Sequence, residues 1–302
     1  MVRCLNSFQM IRYFGDYVIS TLQYERLKVA LPSQLNDPFD CSTAIEGVED
    51  VDTGIAEEEI RLWLRDEAFC NEFRRANLLP EAVDDELIKR GVWEFRQEYI
   101  DKMLNDPLGL IRVRKVSLDS SIDKKFRLLC LNSPLIETGA DILMWSHYGN
   151  SHKGFRLHFN DEFLNGKELG SKVMNYAEDD QPRPAMHIAD RYVAEKFSEY
   201  VKVALSMKAK CWHYEKEVRF LIHPDHCIHD IETKKEFIDF NPLGLERIDL
   251  GISADNDVLI DLAELLKEPR YEHVEIQRAF ERPAFFGLEY NEITVDELCD
   301  SL

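Results

Sequence analysis

Residues 207–221 read MKAKCWHYEKEVRFL, and within them Glu215, Glu217 and Arg219 stand at alternate positions leading into an apolar run. If this run is a strand, its period of two puts all three side chains on one face, within ~7 Å of one another. Two carboxylates and a guanidinium that close perturb one another's ionisation, as happens where proteins hold or cleave a polar substrate. The competing reading is an ion-pair ladder on a solvated sheet face. An exposed Glu217–Arg219 pair of that kind contributes only about 0–1 kcal/mol, so Glu217→Gln would barely affect folding.

Outward from this segment, the amphipathic stretch 186–206 predicts a helix feeding it. Upstream, FRLLCL (126–131) and FRLHF (155–159) predict strands, the second by clear alternation. Residues 10–14 predict another. Leu27, Val29 and Leu31 alternate with Lys28 and Ala30 until Pro32 stops the strand, and Ser33, Asn36, Asp37 and Pro38 then supply turn chemistry. Further strands are expected at 247–252, 274–280 and 285–290, with a helix at 258–267. From about 57 to 105 the apolar residues recur every three or four positions after the acidic start Glu57–Glu59, which suits a helix N-terminus. The expected class is α+β, with a mixed, largely antiparallel sheet core and an inserted helical layer at about 57–105, in a single domain over 1–302.

The chain has 57 acidic against 37 basic residues, a formal charge of −20, which opposes nonspecific attraction to nucleic acid or to anionic membranes. No apolar run approaches the ~20 residues needed to span a bilayer, and the N-terminus lacks a signal-peptide core, so a cytoplasmic location is expected. The seven cysteines (4, 41, 70, 130, 211, 227 and 299) are scattered without a CxxC pair and predict reduced thiols.

Ile142–Phe155, ILMWSHYGNSHKGF, gathers rings and hydrogen-bonding groups around two glycines. A loop of this composition suits a flat polar ligand stacked on Trp145 or Tyr148 and bonded by His147; alternatively Trp145 and Tyr148 are core anchors. His223, His226 and His229 lie in HPDHCIHD, but Pro224 biases the first toward extended geometry, and a solvated loop without metal is expected. Neither a GxGxxG nor a P-loop pattern occurs, which argues against a Rossmann site or P-loop kinase.

Three segments, LKVALPSQLNDPFD, MWSHYGNSHKGF and KCWHYEKEVRF, together resemble the bacterial domain-of-unknown-function family numbered 2971, with the RY of IRYF similar to a fourth. The resemblance runs from about Tyr13 to Tyr290. More distantly, the order of pieces looks like an ADP-ribosyltransferase plan, with Arg12 or Tyr13 as its first element, Ser33 its second and the Glu215–Glu217 pair its third. The chain departs from that plan in having Pro-Ser-Gln at the second element and no counterpart for MWSHY.

That resemblance implies NAD as a substrate, consumed by an ADP-ribosyltransferase or NAD glycohydrolase. Glu217 would bind ribose hydroxyls and stabilise an oxocarbenium-like state, while Glu215 orients or deprotonates the acceptor. Arg12, Arg219 or Lys208 would hold the diphosphate, Trp145 or Tyr148 would stack on nicotinamide, and His147 joins the catalytic set. Asn36 and Asp37 of NDPFD complete the expected nucleotide-binding group, and NDPFD, MWSHY and EKEVR are expected to share one cleft. An effector role would bring an antitoxin-like protein partner; the acceptor is left open. The alternatives are a non-catalytic module recognising a small ligand or a protein, and a hydrolase or nuclease of another type.

Overall fold

Apolar positions at 10–14, 127–132, 155–159 and 217–222 bring distant strands into one eight-stranded sheet. Its order is Leu288–Glu292, Glu275–Glu281, Leu245–Leu250, Phe155–Phe159, Met10–Phe14, Arg127–Asn132, Glu217–Ile222, Glu168–Val173. Neighbours pair antiparallel throughout, except that Leu245–Leu250 runs parallel to Glu275–Glu281. With several helices, this makes the class α+β with a large, mostly antiparallel sheet. The computed structural model describes residues 9–300 except 16, 38, 42, 43, 67, 137, 179 and 191–193; at 111, 113, 114, 116–118, 138, 194, 299 and 300 it describes the backbone alone.

The two faces of this sheet differ in chemistry. Met10, Phe14, Leu129, Leu131, Leu157, Val218, Phe220 and Ile248 enter a buried apolar core, joined by Leu259 and Leu262 of the helix Asn256–Leu266. Each such side chain removed from water contributes roughly 1.5–3 kcal/mol. The intervening positions are largely polar yet also buried. Tyr13 pairs with Arg156 and Arg156 with Asp249, while Asn132 pairs with Glu217 and Cys130 with Arg219. Because the side-chain period is two, the register that buries the apolar set also gathers this polar row on the opposite face. Over it lies the helix Thr138–Tyr148, whose Met144 and Trp145 cluster with Ile11 and Tyr13.

The chain forms two compact units. The first comprises the described residues of Met1–Cys41, Ile122–Pro182 and Leu205–Leu302 and contains the whole large sheet; the second comprises those of Ser42–Ser121 and Arg183–Ala204. In the second, the helices Thr53–Arg65, Phe69–Ala76, Asp85–Glu94 and Arg96–Asn105 surround a core that includes Ile60, Ile88, Val92 and Ile100. The first of these helices is capped by Asp52, which accepts from Ile55 N–H and satisfies one of the open donors of the first turn.

Two sequence expectations need correction. Within the span 186–206 expected to form one helix, Ala185–His187 is a short strand paired in parallel with Ala44–Glu46, and the helix Ala194–Ala204 follows it. A non-local ladder here overrides helical periodicity. The last strand begins at Leu288 rather than 285, because Arg282 N–H donates to the Gly287 carbonyl and closes a turn that exposes Phe285 and Phe286.

Among the described residues no helix is long and apolar enough to cross a membrane. Cys41, Cys70, Cys130, Cys211 and Cys227 are unpaired; Cys4 and the Cys299 side chain lie outside the described residues.

The return from the helix Thr138–Tyr148 to the sheet depends on Gly154. Asn150, Ser151 and His152 all take left-handed φ values (49°, 54° and 67°), and a Cβ at Gly154 would lie 1.9 Å from the Phe14 carbonyl oxygen. That oxygen is backbone and cannot swing away. Gly154→Ala is expected to cost about 1–3 kcal/mol, the scale of core overpacking. An unchanged urea midpoint in the variant would contradict this account of the turn.

Candidate active site

A cavity of about 250 Å³ opens within the first unit, between the carboxylate-bearing end of the Glu217–Ile222 strand and the segment Lys28–Asp40. Arg12, Tyr13, Asn36, Asp37, Tyr148, Lys208, Glu215, Glu217 and Arg219 all line it. NDPFD, MWSHY and EKEVR therefore all contribute residues to the lining of one cavity. Three further expected residues do not line it. Trp145 is fully buried, donates Nε1–H to Tyr290 Oη at 2.8 Å and meets Tyr13 edge-on, which makes it a core anchor rather than a stacking platform. His147 is exposed and shares a 3.0 Å hydrogen bond with the Tyr214 hydroxyl. Exposed Ser33 donates through its N–H and hydroxyl to Asp123. MWSHY ends a helix rather than forming a loop, which explains why its tryptophan turns into the core while Tyr148 reaches the cavity.

Arg219 organises the charges. Fully buried, it directs Nε to Glu217 Oε1 (2.6 Å) and Nη2 to Glu217 Oε2 (3.2 Å), and Nη2 also donates to Asp40 Oδ2 (2.5 Å). Its Nη1 donates to Cys41 Sγ (3.0 Å) and the Leu205 carbonyl (3.3 Å). Lys208 Nζ lies 2.5 Å from Glu215 Oε2, 2.9 Å from Glu217 Oε2 and 3.7 Å from Asp40 Oδ2. Tyr148 donates its hydroxyl to Glu215 Oε1 at 2.5 Å. The solvated ladder is thus excluded: Glu215 and Glu217 are each only 3% exposed and Arg219 not at all.

The two glutamates are driven apart in acidity. Burial raises the Glu217 carboxyl, but the charge and hydrogen bonds of Arg219, aided by Lys208, outweigh it and hold the group at about 2. For Glu215, burial dominates over Lys208 and Tyr148 and leaves its carboxyl above the ordinary range. One carboxylate is therefore firmly ionised while its neighbour retains protons more readily, a division characteristic of acid–base pairs.

The local chain path also differs from the single strand expected. Lys210–Glu215 is a 3₁₀ turn, Lys216 is left-handed (φ 47°), and the strand starts only at Glu217. Glu215 reaches the cavity because the turn folds it back. Asn132 Nδ2 donates to the Glu215 carbonyl at 2.9 Å, and Glu217 N–H donates to the Tyr176 hydroxyl oxygen at 2.8 Å, fixing both sides of the left-handed residue.

Across the cavity, Trp212 Nε1 donates to Asp37 Oδ2 at 2.7 Å, and Lys208 Nζ sits 5.1 Å from the Trp212 ring centroid. Arg12 donates Nη2 to the Lys28 carbonyl at 3.0 Å. Asp40, Lys28, Cys130 and Asn132 also line the cavity and were not singled out from the sequence. Asp40 stands inside the quoted NDPFD, but nothing local marks an acid that meets an arginine 179 residues away.

Behind Tyr13 runs a buried polar network. Its hydroxyl donates to Asp141 Oδ1 (2.5 Å), to which Arg156 Nη1 also donates (2.8 Å); Arg156 Nε reaches Asp249 Oδ2 at 2.7 Å. Burial lowers His158 toward its neutral form, and its Nε2 lies 2.5 Å from Asp249 Oδ2. The visible sequence signal was FRLHF, whose polar alternate residues are buried instead of facing solvent.

Among the described residues, no three His, Cys, Asp or Glu side chains are grouped to hold a metal ion. In HPDHCIHD, His226 Nδ1 shares a 2.8 Å hydrogen bond with the Lys167 carbonyl oxygen, and the His223 and His226 rings are 6.3 Å apart.

Residues 144–220 match a family described as "Protein of unknown function (DUF2971)". That span holds MWSHYGNSHKGF and KCWHYEKEVRF, while IRYF and LKVALPSQLNDPFD lie outside it, so the match covers less of the chain than the motifs implied. No curated protein matches the chain, and no solved structure does. The comparisons thus give the ADP-ribosyltransferase plan no support.

Proposed function

We propose that the cavity binds a nucleotide and cleaves the nicotinamide–ribose bond of NAD, as a glycohydrolase or an ADP-ribosyltransferase. The observation carrying this reading is the pair Glu215 and Glu217, two carboxyls of divergent acidity on the wall of one cavity that Arg12 also lines. At about 250 Å³ the cavity lies just below the roughly 300–1,000 Å³ of ordinary ligand sites, which suits a nucleoside monophosphate portion with the rest of a dinucleotide extending from the mouth.

In this reading, ionised Glu217 stabilises positive charge developing at C1′ as the C1′–N bond breaks and its electron pair leaves with nicotinamide. Water or another acceptor forms the new C1′–O bond, and its proton passes to Glu215. A carboxylate with a raised pKa is a stronger base than an ordinary one, and burial of Glu215 provides that. Lys208 holds the two carboxyls together, and Tyr148 orients Glu215. An effector that depletes NAD, restrained by an antitoxin-like partner, is the cellular role such chemistry would serve.

A second reading, recognition without turnover, is favoured by the engagement of both Glu217 oxygens by Arg219 and Lys208. Incubating the protein with NAD and quantifying free nicotinamide separates the two. Release above the no-protein rate is expected; none from folded protein that binds the nucleotide would favour recognition.

A further inference from the structure

Two buried polar atoms in residues lining the same cavity have no hydrogen-bond partner among the described residues: Arg12 Nη1 and Asp40 Oδ1. Buried polar atoms in folded proteins are nearly always paired, so an unpaired donor and an unpaired acceptor at one cavity point to a ligand that supplies both partners. Asp40 is 7% exposed, and its other oxygen is taken by Arg219. The adjacent Cys41 thiol interacts with Asp40 only as a weak S–H donor.

The two ends differ in charge. Arg12 makes its hydrogen bond to a neutral carbonyl, and neither it nor Lys28 forms an ion pair among the described residues. Burial, then the like charges of Lys235 and Arg12, lower the Lys28 ammonium below its ordinary range, which places Lys28 near Arg12. Two cations without an ion-pair partner among the described residues, both lining one cavity, attract an anion, and a guanidinium fork fits phosphate oxygens. At the other end, Asp40 Oδ2 already has Arg219 Nη2 at 2.5 Å and Lys208 Nζ at 3.7 Å. A ligand ammonium on the same carboxylate would be repelled by both of these cations, whereas a hydroxyl brings a donor without charge.

We propose that this cavity takes a sugar phosphate group, with the phosphate at Arg12 and Lys28 and a sugar hydroxyl donating to Asp40 Oδ1. The proposal deepens the nucleotide reading above, on which it rests for the choice of a ribose phosphate, and it assigns Asp40 as the hydroxyl acceptor. It does not require turnover.

The test is calorimetric titration of the full chain with ribose 5-phosphate, ethyl phosphate and inorganic phosphate. Ribose 5-phosphate should bind at least tenfold more tightly than ethyl phosphate, which keeps the anion and lacks the hydroxyls. Arg12→Gln should weaken every phosphate ligand by about 10- to 100-fold, the scale of a charge-assisted contact. Lys28→Gln, at an exposed position that leaves packing intact, should weaken them in the same direction. Asp40→Asn should abolish the preference for ribose 5-phosphate over ethyl phosphate while leaving ethyl phosphate affinity in place. Should that variant not fold, the comparison of ligands on the parent protein still decides the hydroxyl end. Equal affinity for ribose 5-phosphate and ethyl phosphate, no binding of either at millimolar concentration, or indifference to Arg12→Gln would overturn the proposal. Ribose 5-phosphate binding with hydroxyl preference but no nicotinamide release would retain this site and remove the cleavage reading.

Discussion

Glu217→Gln is expected to lower the stability of the first unit by about 3–5 kcal/mol, the scale of breaking a buried ion pair from one side. Arg219, with no exposure at all, would retain only Asp40 as a carboxylate partner, and Lys208 would lose one of its two glutamates. The near-silent substitution expected of an exposed pair is thus replaced by a severe one. The pH dependence follows from the sign of the shift. Glu217 is held at about 2 against an ordinary 4.5, so its ionisation stabilises the fold above pH 4.5, and that contribution is lost as pH falls toward 2. The shift corresponds to roughly 3 kcal/mol. Urea denaturation of parent and variant should therefore show a wide gap at pH 7 that narrows between pH 4.5 and 2. Equal midpoints at pH 7 would show that the buried cluster does not anchor the strand.

Glu215→Gln should show the opposite balance, with a smaller effect on folding than Glu217→Gln and turnover reduced by on the order of 10²–10⁴, the range for a general base. Burial raises the Glu215 carboxyl while Arg219 and Lys208 hold the Glu217 carboxyl well below the ordinary range, so loss of the Glu215 charge removes less ionic stabilisation than loss of the Glu217 charge. Tyr148 can reverse its hydrogen bond and accept from the new amide, while Lys208 donates to the remaining oxygen. Lys208 loses its charged partner at 2.5 Å but keeps Glu217 at 2.9 Å, and Arg219 keeps both of its carboxylates, so a smaller loss of stability than in Glu217→Gln is expected. Because the Glu215 pKa lies above 4.5, kcat/KM of the parent should fall on the acid side as this base takes its proton. Any residual activity of the variant should lack that limb. Nicotinamide release measured against pH, with thermal melts alongside, checks both statements; a variant as active as the parent would remove Glu215 from the chemistry.

The contrast between these two glutamates shows what local sequence conveys and what it does not. Alternation at Phe155–Phe159 specified a real strand, because its period of two puts Phe155, Leu157 and Phe159 on one apolar face. EKEVR revealed the right residues but not their path, since the left-handed Lys216 separating turn from strand leaves no mark in hydrophobic pattern. Tyr148 and Trp145 looked equivalent in MWSHY; only the helix they share decides that one meets Glu215 and the other Tyr290. Asp40 and Lys28 gain their importance from partners, or from the lack of them, that lie far along the chain. Charge compensation is a tertiary quantity, and composition alone does not reveal it.

The most direct test of the central claim is a crystal structure of Glu215→Gln protein briefly soaked with NAD, the substitution slowing turnover during the soak. The account predicts the nicotinamide ribose beside Glu217 and Tyr148, with the adjoining phosphate against Arg12. NAD bound elsewhere on the protein, or a cavity without density at saturating nucleotide, would contradict it.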